Sequence, residues 1–159
     1  MSEPLIEVLH GPNLNLLALR DPTVYGGLSY GELERQIAAW ARELGLRTRF
    51  AQTNDAGRFV WELQRIARAA RGWGLPQPAG LIVNPGAFTH YAWSIHDALE
   101  MAGVPAVEVH LSDPASRDPW RATSVVADLS IATVAGKGLD GYRIALQLLA
   151  ERLRGGGQR

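Results

Sequence analysis

The chain has 159 residues, 47% hydrophobic and 20% charged, which suits one globular domain long enough to hold a core without covalent staples. It has no cysteine, which excludes thiolate nucleophiles, Cys-based zinc sites and redox dithiols, and its one lysine, Lys137, would have to carry any Schiff-base or P-loop chemistry. Sixteen basic against sixteen acidic residues give a formal charge of zero, so neither nucleic acid nor a membrane surface is an expected partner. No basic leader and no run of about 18 apolar residues occurs, and the expected location is cytoplasmic.

Leu5 to His10 is a mostly apolar run that stops at Gly11-Pro12, the pattern of a buried strand ending in a turn. Leu14 to Tyr25 is then a long connection bearing Arg20 and Tyr25, a length that suits a functional lid. Ser29 and Glu32 form a capping box ahead of Leu33, Ile37, Trp40, Ala41 and Leu44 at helical spacing, with Gly45 as the stop. Arg47 to Thr53 is a second strand, and Phe59, Leu63, Ile66, Ala67 and Ala70 stripe a second helix. After a Gly72 to Pro78 loop come a third strand, Gly80 to Asn84, and a third helix, Tyr91 to Ala102, closed by Gly103 and Pro105. Ala106 to Leu111 is a fourth strand and Ser130 to Ala135 a weaker fifth. Asp140 opens a last helix carrying Ile144, Leu148, Leu149 and Leu153. A single domain over 1–154 and a flexible tail over 155–159 are expected.

Strands alternating with helices, mostly as unbroken apolar runs, predict an α/β fold: a flavodoxin-like three-layer sandwich with a five-stranded parallel sheet in the order 2-1-3-4-5. Ligands of such folds bind at the carboxyl ends of the strands, beside the switch point between strands one and three. His10-Gly11-Pro12-Asn13, Asn84-Pro85-Gly86 and Glu108-Val109-His110-Leu111-Ser112 gather there. Glu108 and His110 share one strand face, where the carboxylate can orient the ring.

Gly136 to Gly141 matches G-x-G-x-x-G but lies in the last unit, where no further strand follows to carry the acidic partner of a dinucleotide site. These glycines instead let the turn pass close to the sheet. His10, His90, His96 and His110 lack metal-ligand spacing, and no metal is expected. A phospho-receiver needs acids where His10 and Asn84 stand, and a flavin carrier remains open to the fold alone.

Gly11-Pro12-Asn13-Leu14-Asn15-Leu16-Leu17, Arg20-Asp21-Pro22 with Tyr25-Gly26, Asn84-Pro85-Gly86-Ala87-Phe88-Thr89-His90 and Glu108-Val109-His110-Leu111-Ser112 together resemble the signature blocks of type II 3-dehydroquinate dehydratases. The resemblance runs from about Leu5 to Leu153. It implies a lyase that dehydrates 3-dehydroquinate to 3-dehydroshikimate by anti elimination through an enolate, without cofactor or metal, in aromatic biosynthesis or quinate catabolism. It also implies a homododecamer, a tetramer of trimers. Carried over by position, Tyr25 is the base, Arg20 lowers its pKa, and Asn13 holds a water on the enolate oxygen. His110, oriented by Glu108, protonates the leaving hydroxyl. Asn84, His90, Leu111, Ser112 and Arg121 bind the substrate, Arg117 closes with the lid, and Asp97 comes from a neighbouring subunit. Ala56, His96 and Asp113 stand where the family commonly has glutamate, arginine and asparagine, and Gly72 to Pro78 resembles an insertion.

Overall fold

The computed structural model describes residues 2–74 and 76–156. Strands β1 (Leu5–His10), β2 (Arg47–Gln52), β3 (Pro78–Asn84), β4 (Ala106–His110) and β5 (Ala132–Ala135) form one parallel sheet in the expected order, β2-β1-β3-β4-β5. Helices α1 (Pro22–Tyr25), α2 (Tyr30–Glu43), α3 (Ala56–Ala70), α4 (Trp93–Ala102) and α5 (Asp140–Gly155) complete the chain. The helix α2 starts where its sequence says it should, because Ser29 Oγ accepts from Glu32 N and Glu32 Oε2 accepts from Ser29 N.

Helices α2 and α5 cover one face of the sheet and α3 and α4 the other, so each strand feeds two cores in alternation. Ile6, Val8, Ile82, Val107 and Val109 face α2 and α5, while Leu9, Leu81, Val83 and Ala106 face α3 and α4. Burial of each such side chain contributes about 1.5–3 kcal/mol. Glu7, buried within this apolar run, is neutralised by Arg65 of α3 through two hydrogen bonds of 3.0 and 2.7 Å. The edge strand β2 is only partly covered and carries Arg47 and Arg49, charges that discourage pairing with another sheet.

Three local expectations need correction. The buried stripe of α5 is Tyr142, Ala145, Leu146, Leu149 and Ala150, whereas Ile144, Leu148 and Leu153 only flank the core. Small residues, one tyrosine and two leucines make that face, and apolarity alone did not reveal it. The Leu14 to Tyr25 connection is not an open loop: Leu14–Leu19 forms 3-10 turns that bury Leu14 and Leu17, and α1 follows. The expected tail begins inside α5, which runs to Gly155, and residues 157–159 lie outside the described residues. Among the described residues no helix is long and apolar enough to cross a membrane.

Candidate active site

The cleft opens where the sheet's strand order reverses, at the carboxyl ends of β1, β3 and β4. Two turns meet there: Gly11 N donates to Asn84 O, and a Cβ on Gly11 would lie 2.1 Å from Pro85 O, so only glycine lets them touch. The turn ends in Asn13, whose φ of 68° is left-handed, a conformation that asparagine tolerates. Asn13 N donates to Asn54 Oδ1, and the Asn13 side chain lines the cleft.

On one wall, β4 presents His110. Its Nε2 donates to Glu108 Oε1 at 2.7 Å, which leaves Nδ1 without a protein partner among the described residues. Glu108 is fully buried and accepts in addition from Thr89, Ser124 and Thr133. Burial pushes its carboxyl up, but the hydrogen bonds and charge of His110, with those of Thr89 and Ser124, outweigh burial and hold it below the ordinary carboxylate range. Glu108 is therefore an anion that accepts from Nε2 and fixes the ring.

The Tyr25 hydroxyl belongs to a second wall of the same cleft. Arg20 Nη2 donates to it at 2.5 Å and Arg117 Nη1 at 2.9 Å, and the Arg20 guanidinium lies 3.7 Å from the ring centre. Burial lowers the pKa of Arg20, the neighbouring charges of Arg117 and Arg121 lower it further, and Tyr25 opposes them. Two guanidiniums thus converge on the one phenolic oxygen.

His90 and Arg121 close the cleft from the 86–90 turn and the Pro119–Ala122 turn. Arg121 Nε donates to Asp118 Oδ2 at 2.9 Å, and His90 Nδ1 donates to Thr123 O at 2.7 Å. Burial lowers the His90 pKa, as do the charges of His110 and Arg121, while the Thr123 carbonyl and Glu108 oppose them. Leu111 and Ser112 line the floor, and their carbonyls accept from Gly138 N and Gly136 N. The glycine-rich turn thus braces the binding loop. Gly136 has φ of 70°, and a Cβ there would meet Asp113 Cβ at 3.0 Å, so glycine is needed.

Asn13, Arg20, Tyr25, Asn84, His90, His110, Leu111, Ser112, Arg117 and Arg121 all line this cleft, with Glu108 directly behind His110. Asp97 does not: its side chain is 80% exposed on α4 and bonds His96. Thr89, Ser124 and Thr133 are site residues that sequence reasoning did not single out. Thr89 stood within a recognised block, but nothing local marked Ser124 or Thr133. Among the described residues no group of three or more His, Asp or Glu side chains is placed to hold a metal ion.

The dehydroquinase class II family profile matches residues 4–150. The chain belongs to the class II dehydroquinase family. This dehydroquinase is 41% identical over 145 residues to the 3-dehydroquinate dehydratase of Pelotomaculum thermopropionicum, covering 91% of this chain and 95% of that one. It is 38% identical over 152 residues to the catabolic 3-dehydroquinase of Pyricularia oryzae, covering 96% and 93%. The crystal structure of type II dehydroquinase from Propionibacterium acnes superposes with a TM-score of 0.85 at 36% identity, over 95% of this chain and 98% of that one.

Proposed function

We propose that this dehydroquinase, working in the cytoplasm on a diffusible substrate, dehydrates 3-dehydroquinate to 3-dehydroshikimate by anti elimination, with Tyr25 as base and His110 as acid. The observation that carries the reading is that one cleft is lined by both a hydroxyl held by two guanidiniums and an imidazole held by a buried carboxylate. The Tyr25 phenolate takes the C2 proton, and the electron pair moves into the C3 carbonyl to make an enolate. A water held by Asn13 donates to the enolate oxygen, an oxyanion-type stabilisation. His110 Nδ1–H then protonates the C1 hydroxyl as the C–O bond breaks and the carbonyl re-forms, releasing water and the conjugated enone. Tyr25 ends protonated and His110 neutral, so one proton passing between them through solvent resets the site. Asn84, His90, Ser112, Arg121 and the Leu111 and Ser112 amides hold the carboxylate and hydroxyls, and Arg117 closes the cleft.

The assembled enzyme is a tetramer of trimers in which Asp97 of a neighbouring copy reaches the cleft. Its support is the exposure of Asp97 beside exposed Tyr91 and Trp93. The deciding experiment supplies 3-dehydroquinate deuterated at either C2 position and follows the enone absorbance. Loss of the hydrogen anti to the C1 hydroxyl is expected. Loss of the syn hydrogen, or no enone, overturns the reading.

A further inference from the structure

Asn84 ends β3 almost completely buried, and its amide is held from two sides. Its Oδ1 accepts from Gly86 N at 3.2 Å, and its Nδ2, which can only donate, gives to Tyr142 Oη at 2.9 Å. In the β1–β3 ladder His10 is the partner of Asn84, and both point toward the layer of α2 and α5. Tyr142 Oη lies 2.9 Å from His10 Nε2, and His10 Nδ1 lies 3.1 Å from Tyr30 Oη.

The hydrogens in this chain have one consistent arrangement. His10 is fully buried, and burial drives its pKa down to about 3, so at neutral pH the ring carries a single N–H. Tyr142 is also fully buried and already accepts from Asn84, so its own hydrogen goes to His10 Nε2, because an unpaired buried hydroxyl is costly. The His10 proton is therefore on Nδ1 and points at Tyr30 Oη. Tyr30 has the Glu34 carboxylate one turn along α2 to turn its hydrogen toward; burial first, and then the Glu34 charge and hydrogen bond, raise the Tyr30 pKa. Donation runs one way, from Asn84 through Tyr142, His10 and Tyr30 to a carboxylate that can only accept.

We propose that Tyr142, His10 and Tyr30 are positioning residues that lock the Asn84 amide in one rotation, so that one N–H and one carbonyl lone pair face the substrate in a fixed arrangement. The proposal rests on the reading that Asn84 grips the substrate. Turning the amide over would set Nδ2 against Gly86 N, donor to donor. It would also require every link to reverse, so that Tyr30 gave its hydrogen to His10 and turned an oxygen lone pair on the Glu34 carboxylate. None of the three positioning groups lines the cleft, so they act only through Asn84.

The test is a double-mutant cycle read in kcat and KM for 3-dehydroquinate, with melting temperatures alongside. Tyr142→Phe, which removes one oxygen, should raise KM and lower kcat/KM about tenfold in folded enzyme, the scale of one misdirected hydrogen bond. On an Asn84→Ala background the same change should alter kcat/KM less than about twofold, because its only route to the substrate is gone. Tyr30→Phe, at a half-buried site that leaves the core intact, should repeat the pattern more weakly. His10→Gln, which keeps an acceptor for Tyr142, should recover most of the kcat/KM lost in His10→Leu. A Tyr142→Phe effect that persists in full on the Asn84→Ala background overturns the proposal. So does a lowered melting temperature with unchanged kcat/KM in both Tyr142→Phe and Tyr30→Phe. Unchanged kinetics in Asn84→Ala alone would instead remove the substrate-binding reading on which the proposal stands.

Discussion

The two walls of the cleft are built by opposite means. His110 stands on a sheet strand, and the carboxylate behind it is fully buried and bonded by Thr89, Ser124 and Thr133 as well. Tyr25 ends a single-turn helix with no buried residue, and the turns Pro114–Ser116 and Pro119–Ala122 opposite it bury none either. Local side-chain bonds hold that wall: Asp21 accepts from Thr23 N, Asp113 from Ala115 N and Asp118 from the Arg121 guanidinium. The imidazole is therefore pre-organised by the core, whereas the phenol is positioned by surface segments at the low-stability end of the molecule. A segment of that kind can admit substrate and then close over it.

The largest effect belongs to Tyr25→Phe, which should cost at least about a hundredfold in kcat while leaving the melting temperature unchanged, since the variant keeps the ring that packs against the core and loses only the hydroxyl. Activity above about a hundredth of wild type would assign the base elsewhere. Glu108→Gln should differ in kind by lowering both turnover and stability. Its carboxyl is held below the ordinary 4.5, so its contribution to stability is complete above that value and is lost as pH falls through the lower folded value. Melting curves between about pH 3 and 7 should therefore fall more steeply on the acid side for wild type than for the variant. Parallel curves would mean that the buried carboxyl is not an anion.

Arg117→Ala should lower kcat/KM about tenfold without a change in melting temperature, because the bond it gives Tyr25 spans two surface segments. Limited proteolysis should cut wild type first within 113–123, with an enolate-like inhibitor slowing the cut. Equal susceptibility with and without inhibitor would make the surface wall as rigid as the sheet wall.

His96 should give the smallest effect. Its hydrogen bonds to Asp97 and Asp128 raise its pKa, so the stability it adds is complete below the ordinary 6.5 and fades as pH rises through the raised folded value. His96→Ala should lower the melting temperature by about a degree under acid conditions and by nothing at high pH. A pH-independent difference would show that packing, not charge, is what the residue supplies.

Much of this enzyme was legible locally. Apolar runs closed by Gly11-Pro12, Pro85-Gly86 and Gly103 marked the strands and helices, and Ser29 with Glu32 marked a helix start. The blocks around Asn13, Tyr25, Asn84 and His110 named the cleft residues, because strand ends and the turns after them are continuous stretches of chain. What remained hidden depends on contacts between distant segments. His10 ends a strand like the cleft residues and points to the same layer as its ladder partner Asn84, yet both its ring nitrogens are taken up by Tyr30 and Tyr142 and it does not line the cleft. Glu108 gathers Thr89, Ser124 and Thr133 from two connections and a strand, and α5 buries Tyr142, Leu146 and Leu149 with small residues while Ile144, Leu148 and Leu153 only flank the core. Periodicity and turn chemistry are short-range properties that a sequence determines by itself. Which side of a strand meets which helix is decided only when the sheet is covered, because burial assigns each buried polar group the partner that satisfies it.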